Sequence, residues 1–452
     1  MQRLHKFLGV VSRRRSPVIE AHGLLRRAGP LCFAFFMVAC ASQDSTVPVG
    51  YDQARAERLF STGYQNVSDI YIEAVPVEDL AIAGLNSLAS IDPAIGVEPV
   101  GNRLRVNIDG RQMASYPMPD PNDAQAWGAL TAAVISASRY HSRDLDSADP
   151  ERLYEAVFDG LLTELDSFSR YAGRDAAREN RASREGFGGI GVRIRLIEEG
   201  VLVLSVMEGT PAEDAGILQD DVIVAIDDSS VEGLSQRDVV NRLRGRTGTE
   251  VHLSIERESV AQPMPVAVKR SHIVPQTVSY HREGNLAYIR LTGFNNRTAD
   301  TLRQKIRQAQ NEIGTDLHGY ILDLRGNPGG LLEQAIAVSD VFVTGGRIVS
   351  THGRHTDSHQ YFRAKVEDLT EDAPVVVLID GGSASASEIV AAALQDSGRA
   401  VLVGSSSFGK GTVQTVLPLP NNGEFILTWA RFHAPSGYAL HRRGVLPDIC
   451  TT

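Results

Sequence analysis

Apolar residues recur three and four positions apart along two stretches of the chain, 51–92 and 124–172. Leu80, Leu85 and Leu88 mark the first, and Leu153, Val157, Leu161 and Leu165 the second. That spacing lines one face of a helix, so both stretches are predicted to be mostly helical. Between them, 93–123 is rich in Pro, Gly, Asn and Asp and reads as a loop insertion or a small hairpin. An Arg-rich charged stretch at 173–186 reads as a linker. From 188 to 270 the pattern changes to short alternating strands. A short helix at 211–217 is closed by Gly216, and a second helix is predicted at 235–244 before the turn Gly245 to Gly248. Beyond 272, the apolar runs 286–291, 320–324 and 375–379 alternate with helical patterns at 298–311, 331–342 and 387–395. Short apolar runs alternating with helices predict an α/β core. The fold class is thus a multidomain α+β and α/β chain: helical at 51–186, β-rich at 187–271 and α/β at 272–452.

The first fifty residues fit none of these patterns. Arg13, Arg14, Arg15, Arg26 and Arg27 precede the apolar run 31–39, which is too short to span a bilayer and suits the core of a signal peptide. The run ends in Met37-Val38-Ala39-Cys40, which resembles a bacterial lipobox, although Met stands where Leu is usual. The expectation is a signal peptide over 1–39, lipidation of Cys40, a polar linker at 40–50, and a membrane-tethered periplasmic protein. The formal net charge of −10 argues against a nucleic-acid partner, because phosphate binding needs clustered cations. Loss of residues 1–39, which carry seven Lys/Arg and one Glu, would leave the mature protein more acidic still. Of the three cysteines, only Cys450 would then remain as a free thiol, so no internal disulfide is expected. The histidines form no HExxH and there is no CxxC, so no metal is expected.

Candidate chemistry gathers near 375–390. An apolar strand runs through the small residues Gly381-Gly382-Ser383-Ala384 into Ser385 and then straight into a helix. Such a helix start offers free N–H groups and the positive end of a dipole, which can stabilise an oxyanion beside a serine nucleophile. Ser385 with Glu388 three residues on also fits a plain capping box, and the stretch alone leaves both readings open. A serine nucleophile needs a base. His433 and His441 sit in no recognisable motif, whereas Lys410, between Gly409 and Gly411 at the head of an alternating strand, can serve if burial lowers its pKa. Alternation sets Gln414 on the same side as Lys410 and Thr412.

The segments Gly382-Ser383-Ala384-Ser385-Ala386-Ser387-Glu388 and Phe408-Gly409-Lys410-Gly411-Thr412-Val413-Gln414 together resemble the C-terminal processing peptidases, or tail-specific proteases. Asp323-Leu324-Arg325-Gly326-Asn327-Pro328-Gly329-Gly330 upstream and Gly444-Val445-Leu446-Pro447-Asp448 downstream extend the resemblance over roughly 150–450. It implies a crotonase-like peptidase core with Ser385 as nucleophile, Lys410 as general base and Gln414 supporting the lysine. The Gly329 and Ala386 N–H groups would form the oxyanion hole. The order of elements in 187–271 resembles a PDZ domain, with Gly189-Ile190-Gly191-Val192 as its carboxylate-binding loop. Asp220 stands where that family usually has Gly. The expected activity is serine endopeptidase cleavage of proteins with unstructured, apolar C-terminal tails, without cofactor. A catalytically silent PDZ scaffold is the alternative. Asp396 reads as structural, although some relatives carry a sensitive acid there. Residues 51–135, where the resemblance is weakest, are the expected surface for a homo-oligomer or an adaptor protein.

Overall fold

The structure, a computed structural model, describes residues 50–365 and 368–451. The stretch expected to be a signal peptide, 1–39, and Cys40 lie outside these residues.

Helices Gln53–Ile70, Val77–Asn86, Ala124–His141 and Pro150–Leu162 build the first core around the fully buried Phe60, Tyr64, Trp127 and Phe158. Gly128 lets two of them meet closely, since a Cβ there would lie 2.5 Å from the backbone nitrogen of Ser61. The intervening 93–123 is more than a loop. It holds a three-stranded antiparallel meander, Ile95–Val100, Arg103–Ile108 and Arg111–Pro117, whose middle strand turns Leu104, Val106 and Ile108 inward. This helical core is continuous with the C-terminal part of the chain. Phe425 and Leu427 of the strand Glu424–His433 belong to it, and the Phe158 and Phe425 rings lie 4.7 Å apart. Residues 51–135 are therefore joined to the α/β region through one continuous apolar cluster.

The stretch 173–186, expected as a linker, contains the helix Arg174–Glu185. Its sequence lacks an apolar stripe because its charges are used on both sides. Arg181 and Arg184 each reach Glu424 Oε1 at 2.9 Å. Arg178 donates to Asn241 Oδ1 at 2.8 Å, Arg244 pairs with Glu179 at 2.7 Å, and Arg237 pairs with Asp175.

The β-rich region forms an antiparallel sheet with strands in the order Met264–Lys269, Glu250–Glu256, Val222–Ile226, Gly200–Val206, Val192–Ile197. It has its own core, including Ile190, Val203, Ile223, Val239 and Ile255. The strand Val192–Ile197 is an edge, paired on one side only. Asp220 takes φ +68°, the left-handed conformation that Gly adopts freely, so the turn keeps its shape without the glycine. The next residue, Asp221, is buried and held by Arg257 at 2.7 Å. Chain entry and exit pair with each other as Phe187–Gly189 and Ser271–Ile273, an antiparallel neck.

The last region is built on a six-stranded sheet, ordered Val278–Glu283, Leu286–Leu291, Gly319–Asp323, Val375–Ile379, Ala400–Gly404, Ile449–Cys450 and parallel after the first pair. Helices Thr298–Ile313, Leu332–Ser339 and Ala386–Asp396 connect it. A second, antiparallel sheet comprises Gln360–Arg363, Arg347–His352, Glu424–His433 and Thr412–Pro418, with Arg170–Ala172 beside Glu424–His433. The helix Ala386–Asp396 contacts strands of both sheets and is buried from Ala386 to Leu394. All-round burial explains why it is built from Ala, Val, Ile and Leu with few polar residues.

Candidate active site

Ser385 sits on a sharp corner between the strand Val375–Ile379 and the helix Ala386–Asp396, with φ +56° and ψ −111°. A non-glycine residue held there costs roughly 1–3 kcal/mol, which the surroundings must supply. The turn before it is pinned from several directions. Asp380 Oδ1 accepts the N–H groups of Gly326 at 2.8 Å and Gly382 at 2.9 Å, and the Ser383 hydroxyl donates to Leu324 O at 2.8 Å. Asp323, wholly buried at the end of the adjacent strand, receives Tyr288, Arg290 and Arg325. Burial pushes its carboxyl pKa up, but the hydrogen bonds from Arg325 and Tyr288 outweigh this and hold it below the usual carboxylate range.

Glu388, wholly buried, ties the serine corner to the lysine loop. Its Oε2 accepts the N–H of Ser385 at 2.8 Å and of Lys410 at 2.9 Å. Its Oε1 accepts the N–H of Gly409 at 2.7 Å and the Ser407 hydroxyl at 2.6 Å. The capping-box geometry anticipated for Ser385 and Glu388 is therefore one part of a larger construction, in which a single carboxylate holds residues about twenty positions apart. The Phe408 N–H adds a further tie by donating to Ser383 O at 3.0 Å.

Lys410 leads into the strand Thr412–Pro418, half-buried. Its Nζ lies 5.3 Å from the centre of the Phe168 ring and, among the described residues, makes no hydrogen bond or ion pair. Burial lowers its pKa and the nearby Arg170 lowers it further, while Asp166 and Glu388 oppose the shift. Phe168, Arg170 and Asp166 come from the segment after Pro150–Leu162, more than two hundred residues earlier. Gln414 rests its Nε2 on the hydroxyls of Thr412 at 2.8 Å and Thr428 at 3.2 Å. It shares a side with Thr412, as alternation predicts, but does not bond to the lysine amine.

Gly329 stands directly against the serine corner. A Cβ on it would lie 2.7 Å from Ala384 O, 2.9 Å from Ala386 N and 2.9 Å from Ser385 Cβ, and its φ is +101°. Only glycine fits there. The Ala386 N–H makes no hydrogen bond among the described residues, whereas the Gly329 N–H donates to Asn327 Oδ1 at 3.0 Å.

Of the other candidates, Asp396 accepts the Ser436 N–H at 2.8 Å and so anchors the loop that returns through Arg442, whose N–H donates to Gly409 O at 2.8 Å. That is the structural role expected of it. His441 packs its backbone against Gly411, and its ring lies 6.3 Å from Phe168. Burial lowers its pKa, and neither it nor His433 bonds to Ser385. In the β-rich region, Ile190 and Gly191 form the loop before the edge strand. The Gly191 carbonyl accepts the Met207 N–H at 2.9 Å, while the N–H groups of Ile190 and Gly191 find no acceptor among the described residues. Gly189 is the last residue of the neck strand, and Val192 the first of the edge strand. Among the described residues, no cluster of three His, Cys, Asp or Glu side chains is arranged to hold a metal ion.

Sequence reasoning marks Ser385, Lys410 and Gly329 but misses Asn327, Phe168, Arg170 and the extent of Glu388. The one signal for Glu388 is its place three residues after a serine.

Comparisons with known proteins agree with this organisation. Residues 188–268 match the PDZ domain model and 285–451 match that of peptidase family S41. A carboxy-terminal-processing protease of Bartonella bacilliformis is 44% identical over 303 residues, covering 67% of this chain and 70% of that protein. The carboxy-terminal processing protease CtpA of Bacillus subtilis is 34% identical over 304 residues, covering 67% of this chain and 64% of that one. A solved photosystem II D1 C-terminal processing protease is 24% identical with a TM-score of 0.44, covering 88% of this chain and 93% of that one. With its PDZ domain ahead of its peptidase core, the chain belongs to family S41, the carboxy-terminal-processing serine proteases.

Proposed function

We propose that peptide bonds are cut by Ser385 with Lys410 as its base. The observation that carries this is the Glu388 carboxylate, which binds the backbone of both residues and so fixes the serine corner relative to the lysine loop. Neutral Lys410 takes the proton of the Ser385 hydroxyl as Oγ bonds to the scissile carbonyl carbon. The carbonyl oxygen becomes an oxyanion beside the Ala386 N–H, with Gly329 as the second donor. Collapse breaks the C–N bond, the lysine ammonium gives its proton to the leaving amine, and an acyl-serine ester remains. Water, deprotonated by Lys410, then frees Ser385 and the new carboxylate. Because the working base is the neutral amine, the rate rises with pH through a Lys410 pKa that lies below the ordinary lysine value.

Substrate tails are captured at the PDZ domain. The open N–H groups of Ile190 and Gly191, with Gly189 and Val192 flanking them, suit a terminal carboxylate, and the edge strand Val192–Ile197 suits an added peptide strand. The Cys40 motif supports a lipid-anchored periplasmic enzyme, which loss of palmitate labelling in Cys40→Ser would test.

The direct test is cleavage of an unstructured protein with an apolar C-terminus by the full-length protein in detergent. Ser385→Ala and Lys410→Ala should each lower kcat by more than about a thousandfold with the fold intact. Either variant keeping near-native activity would remove its residue from the mechanism.

A further inference from the structure

One of the two donors that this chemistry needs is already engaged. The Gly329 N–H donates to Asn327 Oδ1 at 3.0 Å, across Pro328. Asn327 is wholly buried, and every polar group on it has a partner. Its Nδ2 donates to Leu291 O at 3.0 Å, and its own N–H donates to Leu324 O at 3.1 Å. Its carbonyl accepts the Ala384 N–H at 3.0 Å and the Ser387 hydroxyl at 2.9 Å. One residue thus joins the end of the strand Leu286–Leu291, the diglycine loop and both flanks of Ser385. A side-chain amide closing a turn two residues on is common. What distinguishes this one is the N–H it takes, on the glycine so close to the serine corner that an added Cβ would lie 2.9 Å from both Ser385 Cβ and Ala386 N.

We propose that Asn327 is a positioning residue that latches the oxyanion hole. In the resting enzyme its Oδ1 holds the Gly329 N–H, and that N–H transfers to the substrate oxygen only as the oxygen becomes charged. The proposal rests on the Ser385/Lys410 reading of the site. A neutral substrate carbonyl and a neutral carboxamide oxygen are near-equal acceptors, so the bound substrate gains little by displacing the latch. The oxyanion accepts a charge-assisted hydrogen bond about twice as strong, so the exchange becomes favourable as the tetrahedral intermediate forms. An interaction realised only at that point raises kcat rather than tightening substrate binding. Until then the Ala386 N–H is the open donor beside the serine.

The test uses full-length protein carrying Asn327→Asp or Asn327→Ala, with kcat and KM measured from pH 5 to pH 9 beside thermal midpoints. Protonated Asp is isosteric with Asn, its carbonyl accepting from Gly329 and its hydroxyl donating to Leu291 O. Once ionised, it grips the Gly329 N–H and repels the oxyanion. The kcat of Asn327→Asp relative to the unaltered protein should therefore fall at least about tenfold as pH rises, with KM changed less than about twofold. Asn327→Ala frees the donor for the ground state, so KM should fall several-fold, with kcat little changed because the two neutral acceptors are near-equal. A relative kcat for Asn327→Asp that stays flat across pH would overturn the latch, whatever Asn327→Ala does. So would losses in both variants that only follow their thermal midpoints with KM unmoved, the mark of a merely structural role. Should Asn327→Ala not fold, Asn327→Asp at low pH, being isosteric, carries the test alone. Ser385→Ala separates the two levels. If it is inactive while the Asp variant shows no pH effect, the latch alone fails, and if it remains active the underlying reading fails and the latch with it.

Discussion

Replacing Glu388 by Gln probes the centre of the site with a change of one atom. The carboxylate accepts four hydrogen bonds, two on each oxygen, from Ser385 N, Lys410 N, Gly409 N and the Ser407 hydroxyl. A carboxamide can satisfy only one of those pairs. The better orientation turns its NH2 toward Ser407 and Gly409, because a hydroxyl can rotate whereas a backbone N–H cannot. One buried N–H is then left facing another donor, which costs about 1–3 kcal/mol, and the remaining bonds lose their charge assistance. The expected total is about 2–4 kcal/mol of stability, seen as a lower thermal midpoint. Activity should fall by about a hundredfold if the lysine loop drifts by about 1 Å. A third readout has a fixed sign. Glu388 is one of the anions that hold the Lys410 pKa up, so removing its charge lowers that pKa, and the rising limb of the pH–rate profile moves toward acid. Thermal unfolding and steady-state cleavage across pH report all three. A Glu388→Gln protein with native midpoint, native kcat and an unshifted limb would refute the idea that this carboxylate couples serine and lysine.

Lys410→Met should be inactive yet more stable. The folded-state pKa of Lys410 lies below its unfolded value near 10.5, so below the folded pKa the native state bears the whole cost of burying an ammonium. The gain in midpoint should thus be largest at neutral and acid pH and vanish above about pH 10.5. Gly329→Ala forces a Cβ to within 3.0 Å of three atoms of the serine corner at φ +101°, and kcat should drop by at least about a hundredfold while the PDZ domain still binds a peptide tail. Asp220→Gly relieves a left-handed aspartate in the PDZ domain, for a net gain of up to about 1 kcal/mol in urea unfolding, and leaves cleavage unchanged.

The parts of the fold that can be read along the chain are those whose causes are local. Buried strands such as Val375–Ile379 are continuous apolar runs, and the small residues after that strand mark a tight corner into a helix, which the structure starts at Ala386. Ser385 and Lys410 are singled out by the ordered motifs that resemble the C-terminal processing peptidases, since each stretch alone also fits a plain helix cap or a surface loop. What escapes is what depends on partners far away in sequence. The helix Arg174–Glu185 reads as a linker because Arg181 and Arg184 meet Glu424, some 240 residues on, and Asp175 and Arg178 meet the PDZ helix Gln236–Leu243. The meander in 93–123 reads as a loop because its short strands lie among turn residues. Glu388 resembles an ordinary cap, as nothing local says that Ser407, Gly409 and Lys410 will come to it. Likewise, no periodicity announces that Phe168 and Arg170 will set the environment of a lysine at position 410.

The neck formed by Phe187–Gly189 and Ser271–Ile273 gives the enzyme a natural graft point. The backbone leaves and returns side by side, with Gly189 opposite Ser271, so everything between could be exchanged for another tail reader without lengthening or re-routing the catalytic fold. Selectivity for the tail and chemistry at the bond could then diversify separately, one by swapping a cassette that keeps partners for Asp175, Arg178 and Glu179 and the other by substitution around Ser385. A chimera carrying a foreign cassette spliced at these two strands would keep its cutting machinery and change its diet.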